Sequence, residues 1–175
     1  MEKSTMDALN RLSKEDFKLQ KKLPFVLVLD NVRSGLNVGS IFRTSDAFLV
    51  EKVLLCGITA QPPHREILKT ALGSTESVAW AYFSETAEAV QALKDDGYLI
   101  FAIEQTTHKI WLQDFFPEKE KKYAFVLGNE VEGVDEQLLA LCDGAIEIPQ
   151  FGTKHSLNVA VAAGIVVWEF ARKTL

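Results

Sequence analysis

The runs FVLVLD (residues 25–30) and YLIFAI (residues 98–103) constrain this chain more than any other feature. Each is an apolar stretch of strand length with little alternation of apolar and polar side chains. A strand with one wet face alternates, whereas a strand covered on both faces does not, and burial on both faces is the condition of a parallel sheet between helices. Further strands are predicted over 53–56, 78–83, 123–127 and 145–148. Between them, helical spacing and caps mark 38–48, 65–72 closed by Gly73, a helix capped by Ser84 that runs to Lys94 and is closed by Gly97, and one capped by Asp135 that runs to Leu141. Strands and helices alternating at this interval give βαβ units, hence an α/β fold with a mostly parallel sheet and helices on both faces. Residues 104–122 read mostly as connection, with Ile110, Trp111, Leu112, Phe115 and Phe116 as a small apolar flap.

A length of 175 residues suits one such domain without staples. Residues 23–175 are assigned to it. Residues 1–22 are set apart as an amphipathic helical arm, in which Met6, Leu9, Leu12, Phe17 and Leu19 recur by threes and fours. The longest apolar run, 159–168, is about half of the roughly 20 residues that span a bilayer. The polar, mixed-charge N-terminus is neither a signal peptide nor a transit sequence, so a cytoplasmic location without a membrane partner is expected. Cys56 and Cys142 are far apart and each lies beside apolar residues; both are expected to be buried thiols, with no zinc-ligand spacing and no metal. The net charge of −5 confines any RNA contact to one face of the molecule.

The strand at 145–148 ends at Pro149, which has no N–H for a ladder. A polar loop over 150–155 follows. Ser156 stands where a helix N-cap belongs, and Leu157, Val161, Ile165 and Trp168, with Ala160 and Gly164, recur at helical spacing. A helix apolar nearly all round needs cover on every side, yet this one opens with His155, Ser156 and Asn158. That contrast marks a working site at its N-terminus.

In parallel α/β sheets the ligand lies beyond the carboxyl ends of the strands. Three loops at those ends, 31–40, 128–133 and 149–156, are dense in glycine and polar residues and are expected to converge. In the first, Gly35 and Gly39 bracket Asn37, and Arg43 stands six residues beyond it. Residue types alone leave two readings open: a helix cap with a surface arginine, or an arginine whose planar fork grips a phosphate. GLNVGS is not a G-x-G-x-x-G fingerprint and no GK[ST] follows, which disfavours a nucleotide-dependent oxidoreductase and a P-loop. In the second, GNEVEG sets Glu130 and Glu132 between glycines, either as a solvated turn or with Glu130, nearer the strand, pointing inward. Gly128 at the strand mouth would let a ligand approach the backbone closely. In the third, Ser156 and Asn158 offer donors and acceptors at the start of the helix.

Taken together, NVRSGLNVGSIFRTSDAF, FVLGNEVEGV and IEIPQFGTKHSLNVAVAAG resemble, in the right order, the three motifs of the TrmH/SpoU family of RNA ribose 2′-O-methyltransferases, within the SPOUT class. KTALGSTESVAW resembles a further family stretch, and the likeness covers residues 25–170. The resemblance implies a C-terminal trefoil knot, S-adenosylmethionine bound in a bent form, RNA as partner, and a homodimer. Carried across by position, it implies Asn37, Arg43, Glu130, Ser156 and Asn158 as the catalytic set, and Glu104, Leu127, Gly128, Ile148 and Leu157 as cofactor contacts. Gln150 departs from the small or apolar residue of many relatives. Arg43 is proposed in this family to assist deprotonation, but a guanidinium with a pKa above about 12 is a poor base. The role expected of it is to hold a phosphate and stabilise developing alkoxide charge.

With Arg43, a basic face of Arg33, His64, Arg65, Lys69, Lys154 and His155 is expected to bind RNA. About 24 residues precede the first strand, so the RNA would be held by the domain and a partner subunit, and tRNA is favoured over rRNA. Alternatives are an rRNA 2′-O-methyltransferase and a non-catalytic RNA-binding or assembly factor on the same fold.

Overall fold

The computed structural model describes residues 12–174. Strand β1 (Leu23–Asp30) has every residue from Phe25 to Asp30 buried, as its lack of alternation requires. It lies between β2 (Val50–Cys56) and β6 (Lys122–Leu127), both parallel to it. Beyond β2 comes β3 (Ala79–Phe83). Beyond β6 come β4 (Tyr98–Ile103), β7 (Gly144–Glu147) and the two-residue β5 (Ile110–Trp111), so the sheet has the order β3-β2-β1-β6-β4-β7-β5 and is parallel throughout. β7 thus occupies a slot between two strands that precede it in the chain.

Because side chains alternate along a strand, β1 feeds two cores. On one face Leu27 and Leu29 pack with Ile41 and Phe42 of α2 (Gly35–Ala47), Ile67 of α3 (Arg65–Ala71) and Val166, Val167 and Phe170 of α6 (Val159–Thr174). On the other, Val26 and Val28 pack with Ala89, Val90 and Leu93 of α4 (Thr86–Asp95) and Leu138 of α5 (Glu136–Leu139). The Phe170 ring lies 4.6 Å from Phe25, 5.5 Å from Tyr123 and 5.6 Å from Phe125. Phe115, from the expected flap, joins it by meeting Phe101 at 5.0 Å and Tyr123 at 5.5 Å, edge to face. Such pairs contribute about 0.5–1.5 kcal/mol each beyond burial.

Several boundaries differ from those the sequence predicts. α2 begins at Gly35 and not at 38, because the Ser34 hydroxyl accepts from the Asn37 N–H and starts the helix early. Asn37 is therefore in the first helical turn. α4 begins at Thr86, and Ser84 is not its cap; the Thr86 hydroxyl instead donates to buried Asp30 at 2.6 Å, tying the helix start to the end of β1. α5 is shorter than the expected run to Leu141, although Asp135 caps it by accepting from Gln137 N–H at 2.8 Å. α6 is capped by Asn158, not Ser156: the Asn158 side-chain oxygen accepts from Ala160 N–H at 2.9 Å and Val161 N–H at 3.3 Å.

Cys56 is buried, while Cys142 is only partly so, with its thiol against the Leu138 carbonyl. Of the expected N-terminal arm, residues 1–11 lie outside the described residues. The remainder forms α1 (Lys14–Leu19), capped by Ser13, with Phe17 buried in the core shared by α2 and α6. Among the described residues, no helix is long and apolar enough to cross a membrane.

Beside the packing of Leu112 and Phe115, one side chain of α6 bonds the flap directly. Lys173, only 6% exposed, donates to the carbonyls of Leu112, Gln113 and Phe115 and pairs with Glu169. Replacing it by methionine keeps the length and leaves these carbonyls without their donor. Lys173→Met is expected to lower stability by about 1–3 kcal/mol, read as an earlier midpoint in urea with the far-ultraviolet circular dichroism of the native state unchanged.

Candidate active site at the carboxyl ends of the strands

All strands point the same way, so the loops that leave β1, β6 and β7 emerge at one edge. The centre of their meeting is Glu130. Although the residue is exposed, its carboxylate accepts from the backbone N–H of Arg33 at 3.0 Å, from that of Ser34 at 3.2 Å and from the side-chain amide of Asn37 at 3.0 Å. Asn158 in turn donates to the Asn37 side-chain oxygen at 3.1 Å. The orientation of each amide follows. The Asn158 oxygen is committed to the start of α6, so its NH2 must face Asn37; the Asn37 oxygen accepts that bond, so its own NH2 must face Glu130. The carboxylate is thereby linked through two amides to the positive end of α6.

Partial burial pushes the Glu130 pKa up. The bonds from Arg33 N–H, the Asn37 amide, its own backbone N–H and Ser34 N–H outweigh that and hold it below the usual glutamate range. Glu130 is a clamp on the first loop, with Oε1 accepting two N–H groups and Oε2 one.

Between the second and third loops and the end of β4 lies a cavity of about 240 Å³. Ile103, Leu127, Ile148 and Leu157 give it apolar walls, and Glu104 and Glu132 bring carboxylates to it. Two straps tie its sides to β4. Glu104 accepts from Gln105 N–H at 2.8 Å and Val134 N–H at 3.0 Å, and the Gln105 amide donates to the His155 carbonyl at 2.6 Å. Glu104, Leu127, Gly128, Ile148 and Leu157, the positions expected to contact a cofactor, all line this one cavity, as do Glu130, Gln150, His155 and Ser156.

The reason for glycine at 128 differs from the one expected. A Cβ there would lie 2.2 Å from the carbonyl carbon of Gly133 and 2.4 Å from Val134 N, so the loop folding back on itself demands the glycine, whatever ligand comes near. Gly39 likewise serves helix packing: a Cβ would lie 2.3 Å from the Ile67 carbonyl oxygen of α3.

Ser156 is exposed at the lip of the cavity, and its hydroxyl makes no hydrogen bond among the described residues. Arg43 is exposed further along α2; it is not part of the cavity wall. Arg33, His64, Arg65, Lys69, Lys154 and His155 are all exposed, on the first loop, at the start and along α3, and on the third loop. Asn129 was not singled out from the sequence and is central. Its side-chain oxygen accepts from Val131 N–H at 2.8 Å and Glu132 N–H at 3.3 Å, and its NH2 donates to the Asn31 carbonyl at 2.9 Å. An asparagine directly after a strand-ending glycine is the Asx-turn signal that would have found it.

A parallel α/β sheet with a cavity at its carboxyl edge, walled by two motif-bearing loops and the end of β4, defines a small-molecule-binding α/β domain. Residues 24–168 match the model of the SpoU rRNA Methylase family, and the chain belongs to that family. It is 30% identical over 168 residues to the 23S rRNA (guanosine-2′-O-)-methyltransferase RlmB of Vibrio cholerae, covering 95% of this chain and 66% of that protein. An AdoMet-bound rRNA methyltransferase from Sinorhizobium meliloti superposes with a TM-score of 0.80 at 27% identity, over 91% of this chain and 60% of that one. The A. aeolicus TrmH/SpoU tRNA modifying enzyme also gives 0.80, at 25% identity, over 91% of this chain and 81% of that one. The chain spans about two thirds of the length of the curated relatives it matches.

The Glu130 clamp has a pH signature. A carboxyl whose folded pKa is depressed contributes stability that is full above its unfolded value, about 4.3, and is lost as pH falls through the folded value. Glu130→Gln is expected to be less stable than wild type by about 1 kcal/mol, the low end for such bonds because the group is exposed. The gap persists from pH 7 to 5 and closes toward pH 3, as followed by urea midpoints. Asn158→Asp separates the helix cap from the amide relay. Its carboxylate still caps α6 but offers Asn37 no donor, so helix content should hold while ligand affinity at the cavity falls by calorimetry.

Proposed function

We propose that this chain is an S-adenosylmethionine-dependent RNA ribose 2′-O-methyltransferase. The observation that carries the reading is the run Asn158–Asn37–Glu130, which joins one residue from each family motif beside a single cavity. The cavity residues fit the cofactor: the apolar side chains of Ile103, Leu127, Ile148 and Leu157 suit an adenine ring, and Glu104 and Glu132 favour a cationic ligand. When bound, the cofactor supplies an electrophilic methyl on a sulfonium.

The residues of the chain align the acceptor and handle its charge. In-line alignment of a reacting group contributes roughly 7–11 kcal/mol in favourable cases. Ser156, uncommitted at the lip, orients the ribose hydroxyl. Arg43 holds the neighbouring phosphate through its planar fork and steadies the developing alkoxide. Glu130 holds the first loop in register through three N–H bonds to its carboxylate.

The working unit is a homodimer: Val161 and Trp168 are 51% and 54% exposed along the α6 face, apolar surface that a second copy covers. The C-terminal knot belongs to the same reading, supported by the insertion of β7 between β4 and β5. The substrate is a transfer RNA, supported by the larger share of the tRNA-modifying relative that the chain spans, and the reaction takes place in the cytoplasm. Arg33, His64, Arg65, Lys69, Lys154 and His155 supply the phosphate contacts.

Total RNA from cells lacking the gene, incubated with the protein and methyl-labelled S-adenosylmethionine, should take up label as ribose 2′-O-methyl in the transfer RNA fraction. Label in ribosomal RNA would transfer the assignment there, and cofactor binding without label would leave an RNA-binding factor on this fold. Arg43→Lys should lose at least about tenfold in turnover, since lysine keeps the charge and forfeits the bidentate grip; undiminished turnover would remove Arg43 from the phosphate.

A further inference from the structure

Phe151 is 97% exposed, more than any other large apolar side chain among the described residues. It sits in the third loop, one residue beyond Gln150 and four before His155, both of which line the cavity. Nothing braces it there. A Cβ on Gly152, the next residue, would find no atom within 4 Å. Among the described residues, the one hydrogen bond to the loop from 149 to 157 is that of Gln105 to the His155 carbonyl. An aromatic ring is therefore held in water at the mouth of the site, on a loop too open to have packed it away.

Its surroundings indicate what it is for. From Ile148 to Asn158 the chain carries no acidic residue, and Lys154 and His155 follow the ring closely. The cores of protein interfaces are depleted in lysine, and the apolar surface that a second copy would cover lies elsewhere, on α6. An exposed aromatic ring among cations is the arrangement that meets single-stranded RNA, with charge for the backbone and a π-face for an unstacked base.

We propose that Phe151 is a stacking platform for an unpaired base of the RNA beside the methylated ribose, which restricts the substrate to nucleotides in loops, bulges or ends and excludes those inside a duplex. This rests on the methyltransferase reading. A base whose ribose is at the cavity mouth must leave its own stack, and the ring replaces the contact it loses. Because every base has a π-face, the platform tolerates base identity and selects for the unpaired state.

The test uses the full-length protein, methyl-labelled S-adenosylmethionine and total RNA from cells lacking the gene. Phe151→Ala and Phe151→Leu should raise KM for RNA by about fivefold or more, Phe151→Trp should restore it, and labelled positions should map to unpaired nucleotides. Affinity for S-adenosylmethionine by calorimetry and the particle mass by sedimentation should match wild type in all three. A leucine variant that performs as well as wild type would overturn the proposal, because any apolar contact would then suffice. A fall in cofactor affinity or in particle mass would also overturn it, by assigning the ring to the cofactor or to the partner subunit. A wild-type protein that transfers no label defeats the underlying methyltransferase reading, a result distinct from an active wild type matched by an equally active alanine variant.

Discussion

Parallel pairing is the constraint on which the rest of this molecule depends. Every strand enters the sheet from the same side, so every strand exit lies at one edge, and the loops after β1, β6 and β7 have no other place to meet. Pairing also sets what the helices must do. A parallel strand requires a crossover, the crossovers cover both faces, and this accounts for the unbroken apolar run of β1; β4, nearer the edge, buries Tyr98, Ile100 and Ala102 and leaves Leu99, Phe101 and Ile103 only partly covered. Architecture, core and site location are in this sense one fact read three ways.

Within that edge, the organising force is a chain of directed hydrogen bonds. α6 fixes the Asn158 amide, Asn158 fixes Asn37, and Asn37 presents its NH2 to Glu130, whose other bonds hold the turn at Arg33 and Ser34. No member can rotate without leaving a neighbour with two donors or two acceptors face to face. The residues with apparent chemistry in this run are therefore held in place by one another. The side chains left open at the lip, Ser156 among them, are those without internal partners.

The fold was largely legible because it rests on patterns that short windows carry. FVLVLD and YLIFAI announced buried strands, and Pro149 announced an end. β5 escaped because two residues make no pattern; Ile110 and Trp111 are strand only by virtue of β7 beside them. The helix starts at Gly35 and Asn158 were misjudged because serine and asparagine both cap, and which of them does so depends on partners far away in sequence. Asn37, Glu130 and Asn158 were legible as individuals through their motifs, but not as a relay, since 93 and 121 residues separate the bonded pairs. Gly128 looked like a ligand-facing glycine, and the atoms that demand it belong to Gly133 and Val134. A sequence displays the need for a small residue more readily than it names the neighbour that imposes it.

The place of β7 has a consequence for how the chain reaches this state. Until residues 144–147 dock, the outer edge of β4 faces a gap and Ile110 and Trp111 have no strand to pair with. The edge of β4 that faces this gap has no ladder partner during that time. Lys173 cannot draw the flap down onto α6 until the helix that carries it has been made. During synthesis, then, the sheet is a vessel kept open on one side, and its closure waits on residues 144–174, which follow every other strand. In the finished molecule α6 is held at both ends, by the Asn158 cap beside the cavity and by the Lys173 bonds to the flap at its far end.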